Sequence, residues 1–198
     1  MTTDSDKWDR YAQTHPIGED QYRAEETQWL RVQKLLDRCV GTVLDIGAAD
    51  GWIAAELVKR GHYVECVEAS ETRRERIRAL IPGIHAWEPE GISGCQDAMF
   101  DTVLLGEVLE HLDDPGQLLR DAFRIARERV IITVPLLGWA DPTHQWRISL
   151  DHFATPETRE SRPPSSEQVV MTWQRGLAWP LGYHETDPKW KAQFEDGC

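Results

Sequence analysis

The sequence predicts an α/β fold, with a doubly wound, mostly parallel sheet carrying helices on both faces. Three observations predict it. The segments TVLDI (42–46), FDTVLL (100–105) and VIITVP (130–135) are continuously apolar rather than alternating, as strands buried on both faces are. Between about residues 22 and 135 they alternate with stretches of helical periodicity. Glycine or proline punctuates several of the changes from one kind to the other.

Trp29, Val32 and Leu36 recur at helical spacing until Gly41 interrupts, and TVLDI follows as the first strand. Ile53, Leu57 and Val58 mark the next helix, with Gly61 where a left-handed C-terminal residue is required. YVECVE is the second strand. A helix carrying Ile77, Leu80 and Ile81 stops at Pro82-Gly83, and IHAW is a short third strand. FDTVLL is the fourth. Asp114 and Pro115 supply a cap and first-turn proline for a helix bearing Leu118, Leu119, Ala122, Phe123 and Ala126, and VIITVP is the fifth strand. In the tail, Thr155-Pro156-Glu157, the Ser165-to-Gln168 capping-box spacing and Asp187-Pro188 predict short helices.

The expected organisation is one domain over 1–198: a helical cap over 1–38, a ligand-binding core over 40–135, and a substrate loop with a variable tail over 136–198. A formal charge of −12 repels a phosphate backbone, which argues against nucleic acid. The N-terminus has no signal-peptide pattern, and VIITVPLLGWA is too short and proline-broken to span a bilayer, so a cytoplasmic protein is expected, with no membrane association. Cys39, Cys66, Cys95 and Cys198 form no paired motif and read as reduced. A homodimer is compatible with the chain.

The motif that carries chemistry is DIGAADG (45–51). Ligands of an open parallel sheet lie beyond the carboxyl ends of its strands, where this turn falls. Gly47 and Gly51 remove side chains where backbone must approach a ligand, and the following helix offers free N–H groups. Dinucleotide sites use GxGxxG to seat a pyrophosphate. Here two carboxylates, Asp45 and Asp50, flank the turn and suit a cation instead. Glu68 ends the second strand, at the spacing expected of a ribose-binding acid. A nucleoside bearing positive charge fits both, and S-adenosylmethionine is one.

VLDIGAADG, Glu68 in VECVEAS, and FDTVLLGEVLEHLDDP followed by VIITVP resemble, in order, the motifs of class I S-adenosylmethionine-dependent methyltransferases, Rossmann-like enzymes. The likeness is closest to the group with ubiquinone-biosynthesis and sugar O-methyltransferases, and covers about residues 40–135. It implies that Asp45, Gly47, Ala48, Gly51 and Trp52 line the methionine end, Glu68 and Ala69 the ribose, and Gly106 and Glu107 the open side of the cofactor. Trp87 and Glu88 stand where the group has Gly-Asp, and would contact adenine. The final antiparallel strand pair of full-length relatives is not legible after Ser161, so an abbreviated sheet is one expectation.

An aliphatic hydroxyl needs a base or a metal ion to become nucleophilic near neutral pH. If GEVLEHLDD is helical, Glu107, Glu110 and His111 share a face and, with His144 or His152, form a candidate Mg²⁺ site. The alternatives are His144 as general base oriented by Asp141, or histidines that only pack. Nine tryptophans, with Trp139 and Trp146 near Arg147, suggest flat surfaces for a saccharide acceptor, and Tyr11 is a further candidate substrate contact. The expected function is therefore O-methylation of a small-molecule hydroxyl. Carbon or nitrogen methylation of a quinone or amine, and a non-catalytic cofactor-binding module, are the competing readings.

Overall fold

The computed structural model describes residues 4–24, 26–135, 143–145 and 168–174. The elements are α1 (Asp4–Thr14), α2 (Glu19–Arg23), α3 (Glu26–Arg38), β1 (Val43–Ile46), α4 (Trp52–Lys59), β2 (Val64–Val67), α5 (Glu71–Leu80), β3 (His85–Trp87), β4 (Phe100–Gly106), α6 (Pro115–Ile125), β5 (Ala126–Pro135) and β6 (Gln168–Gln174). Two 3₁₀ turns, Pro89–Gly94 and Leu109–His111, flank β4.

The sheet order is β3-β2-β1-β4-β5-β6. All neighbours pair in parallel except β5 with β6, which are antiparallel. Strand order reverses at β1, between β2 and β4, and this is where a crevice opens beyond the strand tips. The pleat of β1 serves both faces. Leu44 and Ile46 join the cluster of Val103, Leu105, Phe123 and Val130, while Val43 joins that of Leu35, Leu36, Leu57 and Ile77.

The local rules of the core operate as the residues dictate. Asp114 Oδ1 accepts the N–H groups of Gly116 and Gln117 and caps α6. Gly61 follows α4 with φ of 90°. Ala126, expected in the helix, instead turns extended and begins β5.

The C-terminal expectation is corrected in part. The Ser165-to-Gln168 spacing predicted a helix, but Gln168–Gln174 pairs antiparallel along Arg129–Pro135. A local capping pattern yields there to the open edge of β5, for which the β-branched and aromatic run VVMTW is a suitable partner. So one antiparallel strand is present where an abbreviated sheet had been expected. The helices expected at Thr155 and Asp187 lie outside the described residues, as does Cys198. Cys39, Cys66 and Cys95 are buried free thiols. No described helix is long and apolar enough to cross a membrane.

Candidate active site

A cleft of about 1040 Å³ lies across the strand tips. Its floor is Asp45–Ala49 at the end of β1, Val67–Ala69 at the end of β2, and Gly106–Val108 at the end of β4. The turn after β1 is closed onto the neighbouring strand, with the N–H groups of Gly47 and Ala48 both donated to Val67 O, at 2.8 and 3.2 Å. Gly47 needs its φ of 77°, and a Cβ there would run into the Val108 side chain.

The electrostatic centre is a pair of buried acids. Asp45 is 3% exposed and its Oδ2 has no hydrogen-bond partner. Burial, with the neighbouring Glu68 charge, pushes its carboxyl up to about 7. Glu68 accepts the Ala49 N–H at 2.9 Å on one oxygen and the Ser70 N–H at 3.0 Å on the other. Burial raises it as well, opposed by those amides and by Arg73. An orphaned buried carboxylate oxygen beside a second carboxylate is the donor set that a cation completes.

Several expected residues sit elsewhere. Gly51 does not border the cleft; an added Cβ would stand 2.9 Å from Ile77, so this glycine serves contact with α5. Trp52 is buried against Trp29 in the core. Trp87 is also a correction. Its indole N–H goes to Glu65 at 3.1 Å, and its ring borders a separate hollow at the β3 edge. Glu88 pairs with Arg74 at 3.1 Å. Pro89, Glu90, Ile92 and Ser93 border the cleft where those two had been expected. Asp50 caps nothing. It accepts the Ile17 N–H at 2.6 Å and lies 3.2 and 3.7 Å from Arg76 and Arg73.

At the other end, Glu107 has φ of 57° and only Leu109–His111 forms a 3₁₀ turn, so Glu107, Glu110 and His111 do not share a helical face. Glu107 stands 3.9 Å from Arg31 instead. Glu110, His111 and His144 do converge, with one ligand atom from each lying within 4.8 Å of the others. The ring of His144 meets that of His111 at 4.8 Å, and Trp8 of α1 meets it edge-on at 5.4 Å. Tyr11 borders the cleft with Trp8. Asp141, His152, Trp139, Trp146 and Arg147 lie outside the described residues.

Sequence reasoning missed Arg31 and Arg73, both buried and both bordering the cleft. Arg31 donates to Thr133 Oγ1 at 3.2 Å. A detectable signal existed: Arg31 abuts the apolar stripe of Val32, Leu35 and Leu36, where an arginine is buried only with partners.

A reversing parallel sheet with a glycine turn and paired acids at a nucleoside-sized cleft defines the class I methyltransferase fold. The profile of the family described as "Methyltransferase domain" matches residues 21–167, and the chain belongs to that family. It is 27% identical over 163 residues to a ubiquinone biosynthesis O-methyltransferase of Caulobacter vibrioides, covering 70% of this chain and 63% of that protein. The chain thus spans less than two thirds of that relative's length. Among solved structures it resembles an S-adenosylmethionine-dependent methyltransferase of Archaeoglobus fulgidus, with TM-score 0.53, 20% identity and 66% of each chain covered. Another from Mesorhizobium loti has TM-score 0.51 and 20% identity, over 64% of this chain and 65% of the other.

Proposed function

We propose that the protein is an S-adenosylmethionine-dependent O-methyltransferase acting on a hydroxyl of a small molecule. The observation that carries this is the buried pair Asp45 and Glu68 on the cleft floor, which matches a cationic nucleoside. Asp45, Gly47 and Ala48 would hold the methionine end, with Arg31 meeting its carboxylate. Glu68 and Ala69 would hold the ribose, and Pro89, Ile92 and Ser93 the base. The bound cofactor supplies a methyl group on a cationic sulfur, primed for in-line displacement.

The chain's own work is to align the acceptor and exclude water. Gly106 and Glu107 border the open side, and α1 covers the cleft with Trp8 and Tyr11. The histidine pair lies at the acceptor end, with His111 or His144 receiving the hydroxyl proton. The name of the Caulobacter relative favours oxygen as the acceptor atom. The aromatic faces of Trp8 and Tyr11, which border the cleft, suit a saccharide, the first acceptor class to test, ahead of quinone and amine substrates.

A second reading puts a divalent ion such as Mg²⁺ at Glu110, His111 and His144, favoured by their convergence. Titration calorimetry with S-adenosylmethionine, followed by mass-spectrometric screening of sugars, phenols and amines for a methyl gain, tests the proposal. Absence of cofactor binding overturns it. Tight binding with no acceptor methylated favours a binding module instead.

A further inference from the structure

We infer that Thr143 and Gln145, from the stretch after β5, are positioning residues that set the tautomer and plane of His111. What His111 then acts on rests on the methyltransferase reading above; the positioning does not.

The two segments are stitched together at several points. Gln145 donates its backbone N–H to Glu110 O at 2.7 Å and its side-chain amide to His111 O at 3.0 Å. Gln145 is thus anchored to two successive carbonyls of the Leu109–His111 turn. Thr143, two residues earlier, stands at the Nδ1 edge of the ring. His111 Nδ1 lies 3.3 Å from Thr143 O and 3.1 Å from Thr143 Oγ1.

Thr143 Oγ1 could either donate to Nδ1 or accept from it, but the carbonyl can only accept. A proton on Nδ1 suits both contacts, whereas a bare Nδ1 would set its lone pair against Thr143 O, so the geometry favours the proton on Nδ1 and the lone pair of the neutral ring on Nε2. Two other aromatic rings, Trp8 of α1 and His144, meet the His111 ring in edge-type contacts. A neutral imidazole with its Nδ1–H bound to a carbonyl is the state required of a base acting through Nε2, which takes the acceptor's proton and becomes imidazolium. It is equally the state required of an Nε2 metal ligand. The arrangement makes the stretch after β5 a determinant of the site even though only His144 among 143–145 borders the cleft.

The test is long-range ¹H–¹⁵N correlation of the full-length protein labelled at histidine, above the pH where the ring is charged. Wild type is expected to show His111 protonated on Nδ1. The double variant Thr143→Val, Gln145→Leu keeps the Thr143 carbonyl but loses the hydroxyl and the amide bond to His111 O that hold it against Nδ1, and is expected to show a mixture of tautomers, while Thr143→Ser keeps the wild-type signature. A wild-type ring protonated on Nε2, or a double variant unchanged from wild type, overturns the inference. Calorimetry with S-adenosylhomocysteine on the same proteins separates the two claims. Affinity of the variants is expected within about twofold of wild type, since positioning acts at the acceptor end. A wild type that binds none overturns the methyltransferase reading while leaving the tautomer result to stand on its own.

Discussion

Asp50 accepts the backbone N–H of Ile17 at 2.6 Å, tying the segment after α1 to the turn after β1. The same carboxylate faces Arg73 and Arg76 of α5, and Arg76 also donates to Ala12 O at 3.0 Å. One acid thus joins the cleft floor, α5 and the helix that covers the cleft. Asp50→Ala is expected to leave the buried Arg73 without its nearest counter-charge and to loosen residues 4–24 from the core, destabilising by about 3 kcal/mol. Limited proteolysis should then cut near residues 15–24 several-fold faster than in wild type, and equal rates would refute the tie.

Asp45 makes both stability and binding depend on pH. Its folded carboxyl sits near 7, above its ordinary value of 3.8. Its stabilising contribution is therefore complete below about 3.8, declines as pH rises towards 7, and is flat beyond. Asp45→Asn should flatten that part of a Tm-against-pH curve. A cationic ligand favours the ionised form, so S-adenosylmethionine affinity should strengthen as pH rises from about 6 to 8, with a proton released. Calorimetry in buffers of different ionisation enthalpy detects that proton, and its absence contradicts the assignment.

Glu68→Gln keeps the size but removes the charge that receives the Ala49 and Ser70 amides. Losing charged hydrogen bonds to a ribose should weaken S-adenosylmethionine binding by about 10- to 100-fold. An unchanged Kd would remove Glu68 from the cofactor site.

The two glycines of the turn should separate in their effects. Gly47→Ala forces a side chain at φ of 77° into Val108 on the cleft floor, and should destabilise by about 2 kcal/mol while also weakening cofactor binding. Gly51→Ala strains a φ of 83° against Ile77 away from the cleft, so Tm should fall with little change in the Kd of the remaining folded protein. Equal losses of affinity would show that Gly51 faces the ligand after all.

Chelation distinguishes the two readings of the acceptor end. With an imidazole base, turnover should survive EDTA unchanged. With an ion at Glu110, His111 and His144, it should fall at least about 100-fold and return on adding Mg²⁺. Glu110→Gln should follow the same division.

Much of this was legible from residue order because it follows from local rules. Short apolar runs bounded by turn residues and rich in Val and Ile fit strands buried on both faces, and Asp114-Pro115 pairs a cap with a first-turn proline at a helix start. The acids Asp45 and Glu68 were also readable, since β1 and β2 are joined by a single helical crossover and pair directly, which brings their carboxyl ends together. Gly51, Trp52, Trp87 and Glu88 lay at plausible spacing, yet which way a residue faces depends on what packs beside it. Ile77 claims the space beside Gly51, Trp29 meets Trp52, and Glu65 turns Trp87 away.

The sequence alone thus settled the alternating architecture, the position of the glycine turn and the acids Asp45 and Glu68 at the ends of the first two strands, all consequences of period and of φ/ψ preference over short stretches. Tertiary structure alone decided that Gln168–Gln174 becomes a strand, that Arg31 and Arg73 border the cleft, and that Glu110 and His111 meet His144 without Glu107. The reason is that each of these outcomes is a choice among partners far apart in the chain. Backbone edges and buried charges make that choice by what they must satisfy, and no local window contains both sides of the bond.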